Sequence, residues 1–483
     1  MKPSSYIDFK LYLTAAPEGK GVCQVAVLPT PEVGEAIMPV IVGPDYAPRV
    51  DLIANLASKS ITLRDLATLG KQLAECLLPT GPVRNLFRDA YRCAGEGRRV
   101  RLRLIIADHA LKQLPWEYLY VDLLDGVPDS MSGFLALGKA VSIVRHEPLP
   151  FPHPEPAPVP GGLSEMSVLI AAASPEGAEK LDLDEEIKTI ESAVGRFNLA
   201  GVRITPKVLR GATREELRDA LLGAQSALIF HFAGHGGMGV KRDDFNRGVP
   251  KGEGHILLLT DHTSRQKDPL SAEDLSRQLN HAGTRLAMLS ACYSGTRNAT
   301  YPWSGVASAL TASGIPAVLA MQFKVRHVEA EAFSRAFYAA LALGLTLDEA
   351  VWSGRVAMLE TTSADTDAPV NVEWGVPVLY SRLPDGALFP ERIKESGSGP
   401  AAEAFRKVFT QTVNGIQDGT MTGIKVRLIE NGVHIVQKVK EARGKITGIE
   451  AVSAGANANI VVEQEFEIAG PESVIKGAEF DTI

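Results

Sequence analysis

The chain has 483 residues, 45% of them hydrophobic and 22% charged, with a net charge of −7 and a pI near 5.9. That is ordinary globular composition with room for several cores. It supplies no global basic field for nucleic acid or anionic lipid.

The N-terminus, "MKPSSYIDFKLYLT", has no unbroken apolar core and no small-residue cleavage site, so no secretory signal is expected. No apolar run reaches the roughly 18 residues of a membrane span. Within residues 1–147, "QVAVLP" and "RLRLIIA" read as strands. "LPWEYLYV" and "FLALGKAVSIVRH" read as further strands or strand ends. In "TLRDLATLGKQLAECLL", Leu63, Leu66, Leu69, Leu73 and Leu77 recur at helical spacing, with Thr62 as N-cap. The run "HEPLPFPHPEPAPVPGG" (146–162) holds seven prolines and is too stiff to join a sheet, so it is read as a boundary.

The next region, 163–389, alternates apolar strands with amphipathic helices. "MSVLIAAAS", "RITPKVLRG", "SALIFHFAG", "HILLLTD", "TRLAMLSAC", "IPAVLAMQFKV" and "WGVPVLYS" read as strands. Helices intervene, two of them with capping pairs at Thr213/Glu216 and Ser271/Asp274. The pattern predicts an α/β fold, a mostly parallel sheet with helices on both faces and its chemistry off the strands' carboxyl ends. A polar Gly/Ser stretch at 390–403 marks a second boundary. Beyond it, residues 404–483 repeat weakly: Gln411, Gln437 and Gln464 are matched, as are Gly423, Gly448 and Gly477. This predicts a small β-domain of three stacked, hairpin-like units acting in association.

Two strand ends carry chemistry. "LIFHFAGHGG" stops at Gly234, His235 and Gly236, and "LAMLSACYSG" ends at Cys292. A thiol and an imidazole emerging at one sheet edge can serve as nucleophile and base. Glycines around His235 clear space for an approaching backbone. The N–H groups of Gly236 and Cys292 are candidates to meet an oxyanion. His231, inside the strand, reads as structural, and His109, His255, His262 and His281 have no comparable setting. Cys23, Cys76 and Cys93 are scattered in a way that suits neither disulfides nor zinc, as in a cytoplasmic protein with reduced thiols. Neither GxGxxG nor GxxxxGK[ST] occurs in a nucleotide-binding context.

"HFAGHG" together with "LSACYSG" resembles the CHAT family of caspase-like cysteine peptidases, relatives of separase and the metacaspases. "LPWEYLY", "GVASALTASGIPAVLAMQFKV", "AFSRAFYAALALGLTLDEAV" and "WGVPVLYSR" extend the resemblance over roughly residues 100–382. The resemblance implies a peptidase with His235 as base, Cys292 as nucleophile, an oxyanion hole at the N–H groups of Gly236 and Cys292, and no cofactor or metal. It further implies a protein substrate and control by another component, as in bacterial defence or regulated death. The 404–483 repeats would dock that partner or another copy of the chain; neither nucleic acid nor membrane is implied. The alternative is a catalytically silent caspase-like scaffold that recruits a partner. Separase-like enzymes carry an acid past the strand corresponding to "AVLAMQFKV" and cleave after Arg. Here Gln322, Lys324, Arg326 and His327 occupy that rim. Like-charge repulsion predicts cleavage after a non-basic residue, unless Asp261 reaches the groove or the basic side chains face solvent.

Overall fold

The computed structural model describes residues 6–15, 22–41, 50–94, 98–121, 131–147, 165–178, 181, 183–195, 203–224, 228–238, 254–290, 302–323, 325–342, 345–361, 371–388, 421–426, 433–442, 445–451, 460–469 and 474–480. The proline-rich run from 148 onward and the 390–403 stretch lie outside them.

The chain opens with strands β1 (Tyr6–Ala15), β2 (Val22–Leu28) and β3 (Ala36–Ile41), paired antiparallel in that order. Helices α1 (Val50–Ala57), α2 (Leu63–Leu77) and α3 (Pro82–Ala94) follow. Leu66, Leu69, Leu73 and Leu77 of the α2 stripe are buried as their spacing predicts, with Leu63 partly buried, and the Thr62 side chain accepts a hydrogen bond from the Asp65 N–H. Each such leucine, moved fully from water, contributes about 1.5–3 kcal/mol. Strand β4 (Arg99–Ile106), the short α4 (His109–Lys112) and β5 (Val141–Arg145) complete this part.

Strand β6 (Glu165–Ala173), α5 (Leu183–Gly195), β7 (Arg203–Arg210), α6 (Arg214–Leu222) and β8 (Leu228–Gly234) come next. They are followed by β9 (Gly236–Met238), β10 (Gly254–Leu259), β11 (Lys267–Ser271), α7 (Ala272–His281) and β12 (Thr284–Ser290). Helix α8 (Pro302–Ala312), β13 (Ala317–Met321), α9 (His327–Ala342), α10 (Leu347–Glu360) and β14 (Pro377–Ser381) close the α/β part. Both capping pairs read from the sequence form: α6 has a full capping box at Thr213/Glu216, and Ser271 caps α7 through the Asp274 N–H.

One sheet joins both halves, in the order β3-β2-β1-β4-β5-β14-β13-β12-β8-β6-β7. Strands β13, β12, β8, β6 and β7 run parallel to one another. Strands β1, β4, β5 and β14 also run parallel, but β14 is antiparallel to β13. The two blocks therefore point in opposite directions across the β13/β14 seam. Side-chain alternation divides the core. Ile229, Ala233, Leu286, Met288 and Leu319 pack on the face covered by α5, α9 and α10. Phe230, Phe232, Ala287, Leu289 and Val318 pack on the face covered by α6, α7 and α8.

Three expectations change in this part. "HILLL" is β10, but it belongs to a separate antiparallel sheet, β11-β10-β9, because the chain turns directly from β8 into β9. "LPWEYLYV" is no strand: Trp116–Tyr118 is a buried 3-10 turn following Pro115. In "FLALGKAVSIVRH" only the second half is a strand. The alternating arginines of β4 do not face water. Arg101 and Arg103 both bind Asp8 and donate to the carbonyls of Leu383 and Pro384, so the segment after β14 buries them.

The C-terminal repeats are not hairpins. Strands β15 (Met421–Val426), β17 (Lys445–Ala451) and β19 (Val474–Phe480) form one parallel sheet, and β16 (Val433–Ala442) with β18 (Ile460–Ala469) another. Pairing thus runs between repeats rather than within them, as in coils stacked along an axis. The matched residues keep step: Gln437 is the register partner of Gln464. Gly423 falls level with Gly448, and Gly448 with Gly477, between paired residues on either side.

Candidate active site

Strands β8 and β12 are neighbours, parallel, with Ser290 opposite Ala233. Both residues lie on the α5 side of the sheet by alternation, as part of the series Ile229–Ala233 and Leu286–Met288. His235 follows Ala233 by two residues, and Cys292 follows Ser290 by two. Cys292 itself lies outside the described residues. His235 is buried, 6% exposed, and its carbonyl accepts from the Leu257 N–H at 2.9 Å. The turn after β8 is therefore pinned to β10, and Gly236 pairs with Ile256 in that small sheet.

The glycines beside His235 make room for the protein itself. A Cβ at Gly234 would lie 2.7 Å from the Ala173 carbonyl, and one at Gly237 would lie 2.7 Å from Cε1 of His255. His255 is buried there, and burial pushes its pKa down to about 4, so the ring is neutral at physiological pH. His231 is structural, as its place inside the strand suggests. Its Nδ1 lies 3.1 Å from the Tyr338 hydroxyl, and burial lowers its pKa to about 3.

A further polar pair meets this edge. Glu186, in the first turn of α5, accepts a hydrogen bond from the Ser290 hydroxyl. Burial raises the Glu186 pKa to about 7, against the opposing pull of that hydrogen bond. Sequence reading passed over Glu186 because it is one of three consecutive acids, Asp184, Glu185 and Glu186, that look like ordinary N-terminal helix charge. The helical phase that turns Glu186 inward beside Ile187 was the available signal.

The rim after β13 is a network of paired charges. Gln322 donates to Glu117 at 3.1 Å and to the Gly375 carbonyl at 2.8 Å. Glu117, fully buried, is gripped by both arms of Arg145, at 3.0 and 2.8 Å. Arg326 binds Glu373 through its backbone N–H at 3.2 Å and Nε at 3.1 Å, and also pairs with Glu329. Lys59, from the loop after α1, reaches the same Glu373. The Arg326 charge is thus compensated by two buried carboxylates. Lys324 lies outside the described residues. Asp261 stands apart, after β10 and near the N-terminus of α6, in a shallow cavity with Thr213, Arg214 and His262. Its carboxylate takes hydrogen bonds from the Ser264 hydroxyl and the Ser264 and Thr263 N–H groups, which pull its pKa down to about 2.

A profile of the CHAT domain matches residues 67–388, two-thirds of the chain. The chain belongs to the CHAT family. The match begins within α2, well before the residues whose motifs carry the resemblance in sequence. No curated protein matches the chain. Among solved structures, gingipain R, an Arg-specific cysteine proteinase, is similar at 14% identity and TM-score 0.38, over 62% of this chain and 66% of that one. Separase of Saccharomyces cerevisiae, in complex with securin, is similar at 11% identity and TM-score 0.43, over 78% of this chain and 30% of that one. Raptor of Chaetomium thermophilum matches at 16% identity and TM-score 0.24, over 41% of this chain and 21% of that one. The CHAT chain thus spans less than a third of the separase chain and just under two-thirds of the gingipain chain.

Outside the CHAT strand ends, two other thiols are buried and subdued. Burial pushes Cys23 up to about 11 and Cys76 up to about 12, so neither supplies thiolate near neutrality. Cys93 is exposed on α3. Among the described residues of the CHAT chain no helix is long and apolar enough to cross a membrane.

Proposed function

We propose that this CHAT protein is a regulated cysteine endopeptidase in which His235 is the base and Cys292 the nucleophile. The observation that carries the reading is the β8/β12 register, which sets Ser290 opposite Ala233 two residues before each partner. In the proposed reaction the imidazole takes the thiol proton and the sulfur attacks the scissile carbonyl carbon. The imidazolium then protonates the departing amine as the C–N bond breaks. Water next cleaves the thioester, giving a proton to the imidazole and releasing the carboxylic acid; that proton returns to the sulfur. The N–H groups of Gly236 and Cys292 are the proposed donors to the oxyanion.

The proposal extends to setting. The enzyme is cytoplasmic, acts on a protein substrate in a bacterial defence or regulated-death system, and is engaged through the C-terminal coils. Support for the last point is that the outer edges of β15 and β19 are unpaired among the described residues. Open strand edges of this kind accept an added strand. Deleting residues 400–483 tests it: a truncated protein that responds fully to its natural trigger would remove the docking role.

Labelling with a peptidyl acyloxymethyl ketone tests the dyad. One adduct at Cys292, slowed by His235→Ala, is the expected result. Equal labelling of several cysteines, indifferent to His235, would instead identify a silent scaffold.

A further inference from the structure

The described part of the site contains one hydrogen bond between a helix and the last residue of the nucleophile strand. Ser290 ends β12, and its hydroxyl donates to Glu186 on α5. Helix α5 is itself fixed: Ile187 and Ile190 are buried in the same core as Ile229, Ala233, Leu286 and Met288. Ser290 is also the last residue of β12 with a register partner in β8. From Ser290 the chain has two residues to reach Cys292, at most about 7 Å of backbone. The place where β12 releases the chain at Ser290 therefore bounds how far Cys292 can lie from the sheet edge.

We infer that Glu186 is a positioning residue of the peptidase: by accepting the Ser290 hydroxyl it fixes the point where β12 leaves the sheet, and thereby the reach of Cys292 to His235. The inference rests on the dyad reading. The contact requires an acceptor oxygen, which a glutamine amide also provides, and it does not require a negative charge. A merely structural carboxyl would lower stability and leave the reactivity of the folded protein unchanged. A positioning residue lowers the reaction rate of bound reagent and leaves its binding alone, since misplacement of reacting atoms by about 1 Å can cost up to ~100-fold.

The test uses the full chain and the peptidyl acyloxymethyl ketone, with the maximal rate of Cys292 modification and the reagent's half-saturating concentration measured separately. Glu186→Ala and Ser290→Ala are each expected to slow the maximal rate by about 10–100-fold, with half-saturation within about 3-fold of wild type. The double variant should be no slower than either single one, because both remove the same contact. Glu186→Gln should restore the rate to within about 3-fold of wild type. Thermal melting identifies the folded variants, and Ser290→Ala carries the test if Glu186→Ala does not fold. Wild-type rates in both alanine variants, or a Glu186→Gln variant as slow as Glu186→Ala, would overturn the inference while leaving the dyad standing. A wild-type protein whose Cys292 labelling ignores His235→Ala would overturn the dyad, and this inference with it.

Discussion

Two neighbouring stretches of one sheet edge treat polar residues in opposite ways. Among the described residues those at the ends of β8 and β12 are few, His235, Ser290 and Glu186 with His255 beside them, set among glycines and apolar side chains. At the end of β13 they are dense, and those described are tied to one another. Gln322 is spent on Glu117 and Gly375, and Arg326 on Glu373 and Glu329. In sequence the second stretch looks more eventful, with Lys324, Arg326 and His327 within four residues. In the fold, the charge of Arg326 meets carboxylates that come from sequence positions far away or one turn along its helix. A run of basic residues therefore states a net charge, and only the partners decide what field a substrate meets.

The comparison can be broken or sharpened in four ways. The largest effect belongs to the sparse end. His235→Ala and Cys292→Ala should each lower peptide cleavage by roughly 10³-fold or more, whereas Gln322→Ala should change it by less than about 10-fold. Turnover assays decide this, and near wild-type cleavage by either variant would remove the proposed dyad.

The dense end should answer in stability instead. Arg145→Ala strands the buried Glu117 carboxylate with Gln322 as its remaining donor among the described residues, and should destabilise the fold by about 3–5 kcal/mol in denaturant titration. A loss below about 1 kcal/mol would mean that the cluster relaxes to admit water.

Acid should weaken the fold through the buried histidines. His231 and His255 have folded pKa values of about 3 and 4, below the ordinary 6.5. The stability they confer is complete above pH 6.5 and is lost as pH falls towards those values, at up to about 1.4 kcal/mol per pH unit for each proton. Melting curves recorded across this range should show a shallower decline for His231→Gln than for wild type. Equal slopes would mean that His231 takes up no proton on unfolding.

The smallest effect is expected at Arg326. It is 58% exposed, so solvent screens its pairs, and Arg326→Ala should cost about 1 kcal/mol or less. A peptide-library digest should show its cleavage preference essentially unchanged. A switch to cleavage after Arg or Lys would show that the rim charge governs specificity after all.

Local pattern made much of this molecule readable. The leucine stripe of α2, the capping box of α6 and the apolar strands β6, β8, β12 and β13 each follow from residues close together in sequence. The Gly-His-Gly turn after β8 was legible for the same reason. What pattern could not supply was partnership across distance. Nothing near Arg101 announces that the Leu383 and Pro384 carbonyls will bury it, and nothing near Ser290 points to Glu186. The repeat spacing of 404–483 was visible, but a strand–turn–strand unit fits a hairpin as well as a coil. Which of the two forms depends on whether a strand meets its neighbour in sequence or its counterpart in the next repeat.

The order of strands in the large sheet also sets a timetable for synthesis. The edge of β5 is covered by β14, which leaves the ribosome roughly 230 residues later, on the order of 10–50 s at about 5–20 residues per second. Throughout that interval β1 to β5 can pair among themselves, while the far side of β5 has no native strand to receive it. A nascent chain at this stage carries a bare, apolar strand edge, the kind that invites pairing with a neighbouring polysome product. Cotranslational chaperones should therefore dwell on this protein until residue 381 emerges.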